Sequence, residues 1–257
     1  MVLYDFGLTK DRTFYYVMEL LDGIDLQTIV ERFGPMPASS VVKIMQGVAA
    51  PPDEAHHAWM IHRDSKPRNV VVAKIDLSYD FFKLLYFGRV KTQVPIAEGL
   101  LLTIDGVATG TPAYLPPEIA MGDESIDGRA DLYSLSRVAY YLLTGKLVFP
   151  EPTPTAMAHA HEQKTPDLPS SRLSAPVAAG LEAIVMNLLE KKPGNRIASA
   201  SHLLRTRSGL SDVKEWCADT AAAWWIVNLP DSESQRAMVV DDNTPSTAEI
   251  GLVAAQG

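Results

Sequence analysis

Apolar and polar positions along this chain follow two rhythms. Thr13 to Met18 is a run of β-branched and aromatic residues between Lys10-Asp11-Arg12 and Asp22-Gly23, and it reads as a strand. Val2-Leu3-Tyr4 reads as the strand before it, with Gly7 opening the turn between them. From Asp25 the period lengthens: Leu26, Ile29, Val30 and Phe33 recur at helical spacing, and Gly34-Pro35 ends the helix. A second helix carries Val41, Val42, Ile44, Met45 and Val48, with Ser39 or Ser40 as its cap. Pro51-Pro52 is expected to break it, because an interior proline removes a hydrogen bond and clashes with the preceding turn, at about 3 kcal/mol.

The rhythm shortens again at Val70-Val71-Val72 and at Phe81 to Leu85, which read as a strand pair. Residues 89 to 117 form a long connector with Thr, Gly and Pro throughout, and connectors of that length usually serve function. Helical patterns follow over Asp131 to Leu143, Pro176 to Glu190, residues 199 to 205 and Ala218 to Val227. Trp224 and Trp225 in the last of these read as packing residues. Beyond Pro230 the chain is polar or small-residue-rich, and disorder is expected there.

Composition narrows the function. The chain has 257 residues, 47% of them hydrophobic, enough to bury one sizeable core. With 23 basic and 31 acidic residues the net charge is −8, which argues against a non-specific nucleic-acid binder. No apolar run approaches the ~20 residues of a membrane span, and the opening residues lack the pattern of a signal peptide. A single cysteine, Cys217, excludes an internal disulfide, fits a reducing cytoplasm and reads as a small buried hydrophobe. His56-His57 and the His159/His161 pair read as surface or interface residues rather than metal ligands.

The chemistry concentrates in one stretch: His62-Arg63-Asp64-Ser65-Lys66-Pro67-Arg68-Asn69. It resembles the catalytic loop of Ser/Thr protein kinases, H-R-D-x-K-P-x-N. Further motifs resemble the same family in the same order. Gly110-Thr111-Pro112-Ala113-Tyr114 with Pro117-Glu118 is similar to the end of an activation segment. Asp131-Leu132-Tyr133-Ser134-Leu135 is similar to the central buried helix. Lys191 to Arg196 is similar to the late K-x-P-x-x-R element, and Met18 to Gly23 to the hinge. The Trp216 to Trp225 stretch resembles a helix that follows the kinase domain in some bacterial Ser/Thr kinases.

The resemblance implies an α+β fold, mainly the helical C-terminal lobe, with a two-strand remnant of the N-terminal lobe. Its units are residues 1–22 (last two strands and hinge), 23–206 (C-lobe), 207–229 (helical extension) and 230–257 (tail). It implies ATP and Mg²⁺ as cofactors and a protein substrate or partner. Asp64 would orient and deprotonate the acceptor hydroxyl, Lys66 would neutralise the transferring phosphoryl group, and Asn69 would hold a metal ion. Glu19, Leu21 and Val71 would hold adenine. His62, Arg63, Thr111, Glu118, Asp131 and Arg196 would be structural, with Arg196 paired to Glu118. Arg63 could bind an activation loop phosphorylated at Thr103 or Thr109.

Several residues depart from the pattern. Tyr86-Phe87-Gly88 stands where the family has D-F-G, and a neutral phenol is a poor Mg²⁺ ligand. No G-x-G-x-x-G loop or V-A-I-K lysine occurs before the hinge. Trp59, Ser65, Arg89 and Ser136 also occupy positions of other residue types. The expectation is a kinase domain of impaired activity, with two alternatives: a pseudokinase scaffold, or a fragment from a truncated or decaying gene.

Overall fold

The computed structural model describes residues 3–11, 13–49, 66–75, 78–84, 116–123, 126–174, 176–206, 210 and 212–229. The first sheet is an antiparallel pair, β1 (Leu3–Leu8) and β2 (Phe14–Met18). Gly7 lies inside β1, opposite Tyr15, and not in the turn as expected. The turn is Thr9 to Thr13, closed by the Thr9 N–H to the Thr13 carbonyl at 2.8 Å. Tyr4, Phe6 and Leu8 of β1 are exposed.

A second sheet has the order β3 (Gly23–Asp25), β4 (Val70–Ile75), β5 (Ser78–Leu84), all antiparallel. β3 was not expected, since three residues are too few to show a period. Gly23 lies so close to β4 that a Cβ there would fall 2.6 Å from the Val72 carbonyl oxygen. α1 (Leu26–Phe33) follows directly, and its N-cap is Asp25, which accepts from the Thr28 N–H at 3.0 Å. Leu26, Ile29 and Val30 face the core, as their spacing predicts.

α2 (Ala38–Ala49) starts earlier than the serines suggest. Its Val41 N–H bonds the Pro37 carbonyl at 3.1 Å, so Ser39 and Ser40 lie inside the first turn and do not cap it. The expected break at Pro51-Pro52 lies outside the described residues. α4 (Arg129–Thr144) is buried almost all round, the mark of a central helix. Its two serines satisfy themselves internally: Ser134 Oγ donates to the Ala130 carbonyl and Ser136 Oγ to the Tyr133 carbonyl. Serine is thereby accommodated at position 136 in a tightly packed helix.

α3 (Pro117–Met121) and α5 (Pro154–Gln163) were not expected. α3 is a single short turn, and α5 mixes Ala, His and Thr with little apolar rhythm. α5 is fixed by its ends, with Pro154 in the first turn and Thr153 Oγ accepting from the Ala156 N–H at 3.1 Å. α6 (Ala179–Leu188), α7 (Ala200–Thr206) and α8 (Ala218–Asn228) lie where helical patterns occur, α6 being shorter at both ends. The core gathers α1, α2, α6 and β4 around α4, and Trp225 of α8 joins it. No helix among the described residues is long and apolar enough to cross a membrane.

Candidate active site

The catalytic-loop motif enters the described structure at Lys66. Pro67 to Asn69 form one 3₁₀ turn, with Pro67 at its first position where a missing N–H costs nothing. The Asn69 N–H bonds the Lys66 carbonyl at 2.9 Å, and Asn69 is buried. β4 begins at the next residue, so the turn is rooted in the three-stranded sheet. His62, Arg63, Asp64, Tyr86, Thr103, Thr109 and Thr111 lie outside the described residues.

On β4, Val70 and Val72 are buried against the helices, so Val71 looks to the other face of the sheet. Its cross-strand partner on β5 is Lys83, which shares that face. The Lys83 ammonium forms an ion pair with the Glu19 carboxylate. Glu19 and Val71, two of the expected adenine contacts, are thus joined through one lysine that the sequence reading overlooked. Leu21, the third, is buried beside Asp22, whose carbonyl accepts the Lys74 N–H at 3.1 Å.

A structural node lies at the start of α4. The Glu118 carboxylate on α3 and the Arg196 guanidinium face each other two-pronged, at 2.7 and 2.9 Å. Arg196 also donates to the carbonyls of Glu190 (2.7 Å), Lys191 (2.9 Å) and Arg129 (3.0 Å). All five of its N–H groups are used, and its plane lies 4.6 Å from the Tyr133 ring centroid. Asp131 occupies the first turn of α4, where a carboxylate complements the helix dipole.

Next to this node is a cluster that the sequence reading missed. Arg137 and His161 are fully buried, although His161 was expected at a surface or interface. Arg137 Nη1 approaches His161 Nε2 at 3.5 Å, and His161 Nδ1 lies 3.0 Å from Tyr133 Oη. Arginine can only donate, so Nε2 is the acceptor side of the Arg137 contact. Lys191 Nζ donates to the His161 carbonyl at 2.8 Å and sits 4.6 Å from the Phe149 ring centroid. Burial pushes the Lys191 amine down to about 8, helped by the positive charges of Arg137 and Arg196. Burial likewise pushes the Tyr133 phenol up to about 12. The only available signal was an arginine in the middle of an apolar helix pattern.

Cys217 corrects another expectation: it is exposed, at the residue before α8, and its thiol contacts Thr220 Oγ1 at 3.2 Å. That hydrogen bond lowers the thiol's pKa below the ordinary value. Among the described residues no group of three or more His, Cys, Asp or Glu could hold a metal. Asn69 offers Mg²⁺ one neutral amide oxygen, and a phenol at position 86 adds no charge. These donors do not make up the charged oxygen set that Mg²⁺ favours.

Comparison with known proteins places this geometry. Residues 2–207 match the protein kinase domain family. Serine/threonine-protein kinase pkn3 of Myxococcus xanthus is 36% identical over 197 residues, covering 76% of this chain and 36% of that protein. Serine/threonine-protein kinase Pkn1 of Myxococcus xanthus is 38% identical over 198 residues, 77% of this chain and 27% of that protein. Serine/threonine-protein kinase PknB of Mycobacterium leprae is 33% identical over 250 residues, 92% of this chain and 38% of that protein. The chain therefore spans about a third of the length of these relatives. With an α+β fold built on a central buried helix, the motifs in order and the Glu118–Arg196 pair closed, the chain belongs to the protein kinase domain family, in its bacterial eukaryotic-like Ser/Thr group.

Proposed function

We propose that this chain is a Ser/Thr protein kinase domain, acting in the cytoplasm on proteins, whose phosphoryl transfer is impaired by Tyr86. The observation that carries this reading is the 3₁₀ turn at the start of β4. It seats Asn69 one turn after Lys66, and Lys66 itself stands two residues after Asp64 in the H-R-D-x-K-P-x-N order. Asp64 accepts the proton of a Ser or Thr hydroxyl as that oxygen bonds the γ-phosphorus. The bond from that phosphorus to the ADP oxygen breaks, and the Lys66 ammonium offsets the charge on the moving group. Backbone groups of Glu19 and Leu21 and the side chain of Val71 receive adenine. Asn69 would be the family's one remaining metal-holding residue here, since Tyr86 stands where the usual aspartate would supply a charged oxygen. His62, Arg63, Thr111 and Asp131 hold the loop, and Thr103 and Thr109 are the candidate phosphosites.

A scaffold without transfer is the second reading, and Tyr86 is what favours it. Transfer from radiolabelled ATP to a basic protein substrate separates the two. The wild-type chain should transfer slowly. Tyr86→Asp should raise the rate at least roughly 100-fold, since one lost charge contact in an active site typically costs that much. Asp64→Asn in the same background should abolish the gain. Wild-type transfer as fast as that of Tyr86→Asp would overturn the impairment. Cooperative folding with no transfer and no ATP binding in either form would establish the scaffold.

A further inference from the structure

The strand that carries Lys83 is gripped from its other end by the C-terminal segment. Opposite Lys74 of β4, β5 has two residues, Tyr79 and Asp80, where a regular ladder has one. This bulge puts Asp80 in the left-handed region at φ 59°, which aspartate tolerates better than most residues. Bulges re-aim side chains, and this one turns both residues toward the C-terminal segment. The Asp80 carboxylate accepts from Trp225 Nε1 at 2.8 Å through one oxygen and from Trp216 Nε1 through the other. The Tyr79 ring lies 5.9 Å from that of Trp225, and Trp224 meets Phe33 of α1 edge-on at 5.4 Å. At the segment's start, the Asp212 carboxylate accepts from the Gly180 N–H in the first turn of α6 at 3.3 Å. α6 has no side-chain cap of its own, so Asp212 supplies an acceptor there.

We propose that residues 212–229 form a strap that sets the position of β5 under the nucleotide, with Asp80 as the positioning residue. The strap holds the bulge, the bulge fixes where β5 lies, and Lys83 three residues on carries that position to Glu19 of the hinge. Both oxygens of one carboxylate are engaged by two indoles nine positions apart in sequence. Such an arrangement forms only when the whole segment is docked. The nucleotide part of this inference rests on the reading given under Proposed function; the mechanical part does not.

The test uses Trp225→Phe, Trp216→Phe and the double variant in the full chain, since phenylalanine keeps an aromatic ring while losing the N–H and part of the indole's volume, and Asp80→Asn beside them changes the acceptor with no loss of volume. Backbone hydrogen exchange is followed at residues 81–84 and 19–22, with α4 as internal reference. A fluorescent ATP analogue is titrated in parallel. The expected result is exchange at least about fivefold faster in both regions for the double variant, with α4 unchanged, the scale of one lost hydrogen bond felt locally. Analogue binding should weaken by a similar factor. Faster exchange in α8 alone, with β5 and the hinge unchanged, would overturn the strap and reduce the tryptophans to packing. If the wild-type chain binds no analogue, the nucleotide reading fails, and the exchange data still decide the strap. Should the double variant not fold, Asp80→Asn, which keeps one acceptor oxygen, answers the same question.

Discussion

Glu118 and Arg196, 78 positions apart in the chain, meet in a two-pronged ion pair that is almost wholly screened from water. The pair joins α3, the start of α4 and the turn after α6, because Arg196 also holds three backbone carbonyls from those regions. Removing one partner leaves a buried charge uncompensated. Arg196→Lys supplies three donors in place of five and loses the fork. Glu118→Gln should destabilise the domain by about 3–5 kcal/mol, lowering the melting temperature on the order of 10 °C, and Arg196→Lys, which keeps the charge and loses hydrogen bonds, by about 2 kcal/mol. Calorimetry of the two single variants checks this, and a loss under ~1 kcal/mol would contradict the assignment.

Lys191 makes stability depend on pH. Its amine in the folded state titrates at about 8, below its ordinary value of 10.5. The unfolded chain therefore binds more protons between those pH values, and stability rises with pH there. The Tyr133 and Tyr140 phenols, raised to about 12, act in the opposite sense. Their contribution is complete below pH 10 and is lost as pH climbs through 12. Denaturant midpoints should therefore increase from pH 8 toward pH 10, and Lys191→Met should flatten that slope. An unchanged slope in the variant would show that another group is responsible.

Gly47 lets β5 approach α2. A Cβ at this position would fall 2.3 Å from Cδ2 of Phe82, so the phenyl ring would have to move. Alanine favours a helix by about 1 kcal/mol over glycine, yet overpacking costs about 1–3 kcal/mol. Gly47→Ala should therefore lower stability by roughly 1 kcal/mol net. Urea denaturation reads this directly, and a stabilised variant would contradict the close approach.

Asp25 has two jobs, as the last residue of β3 and the N-cap of α1. Its carboxylate accepts from the Thr28 N–H at 3.0 Å and from Thr28 Oγ1 at 2.6 Å. Asp25→Ala should cost about 1 kcal/mol, and Asp25→Asn much less, because an amide oxygen can still accept. Equal losses for both variants would point to charge and away from capping.

Much of the fold was legible where a period was long and sharp. α1, α4 and α8 lie within a residue or two of their apolar patterns. The strand pair β4–β5 was legible from β-branched and aromatic residues. Short elements were not: β3 and α3 contain too few residues to display a rhythm. α5 is held by its ends and by burial of His161, neither of which an apolar pattern reports. At the site, motif order pointed to Lys66, Asn69, Glu118 and Arg196, because each residue type carries a recognisable chemistry at a set spacing. Lys83 was missed because its partner Glu19 is 64 positions away and no local spacing links them.

The sequence by itself determined the class of domain, the order of its motifs and the chemical departure at Tyr86, since these depend on residue type and local spacing alone. Tertiary structure decided what distant residues do for one another. It closed Arg196 on Glu118, buried Arg137 against His161 and Tyr133, and brought Trp216 and Trp225 to one carboxylate on β5. The physical reason is that hydrogen bonds, desolvation and packing act over a few ångströms in space, whatever the separation along the chain. Cys217 shows the same limit from the other side: a residue type that is usually buried stands exposed, because the fold put it at the start of a surface helix.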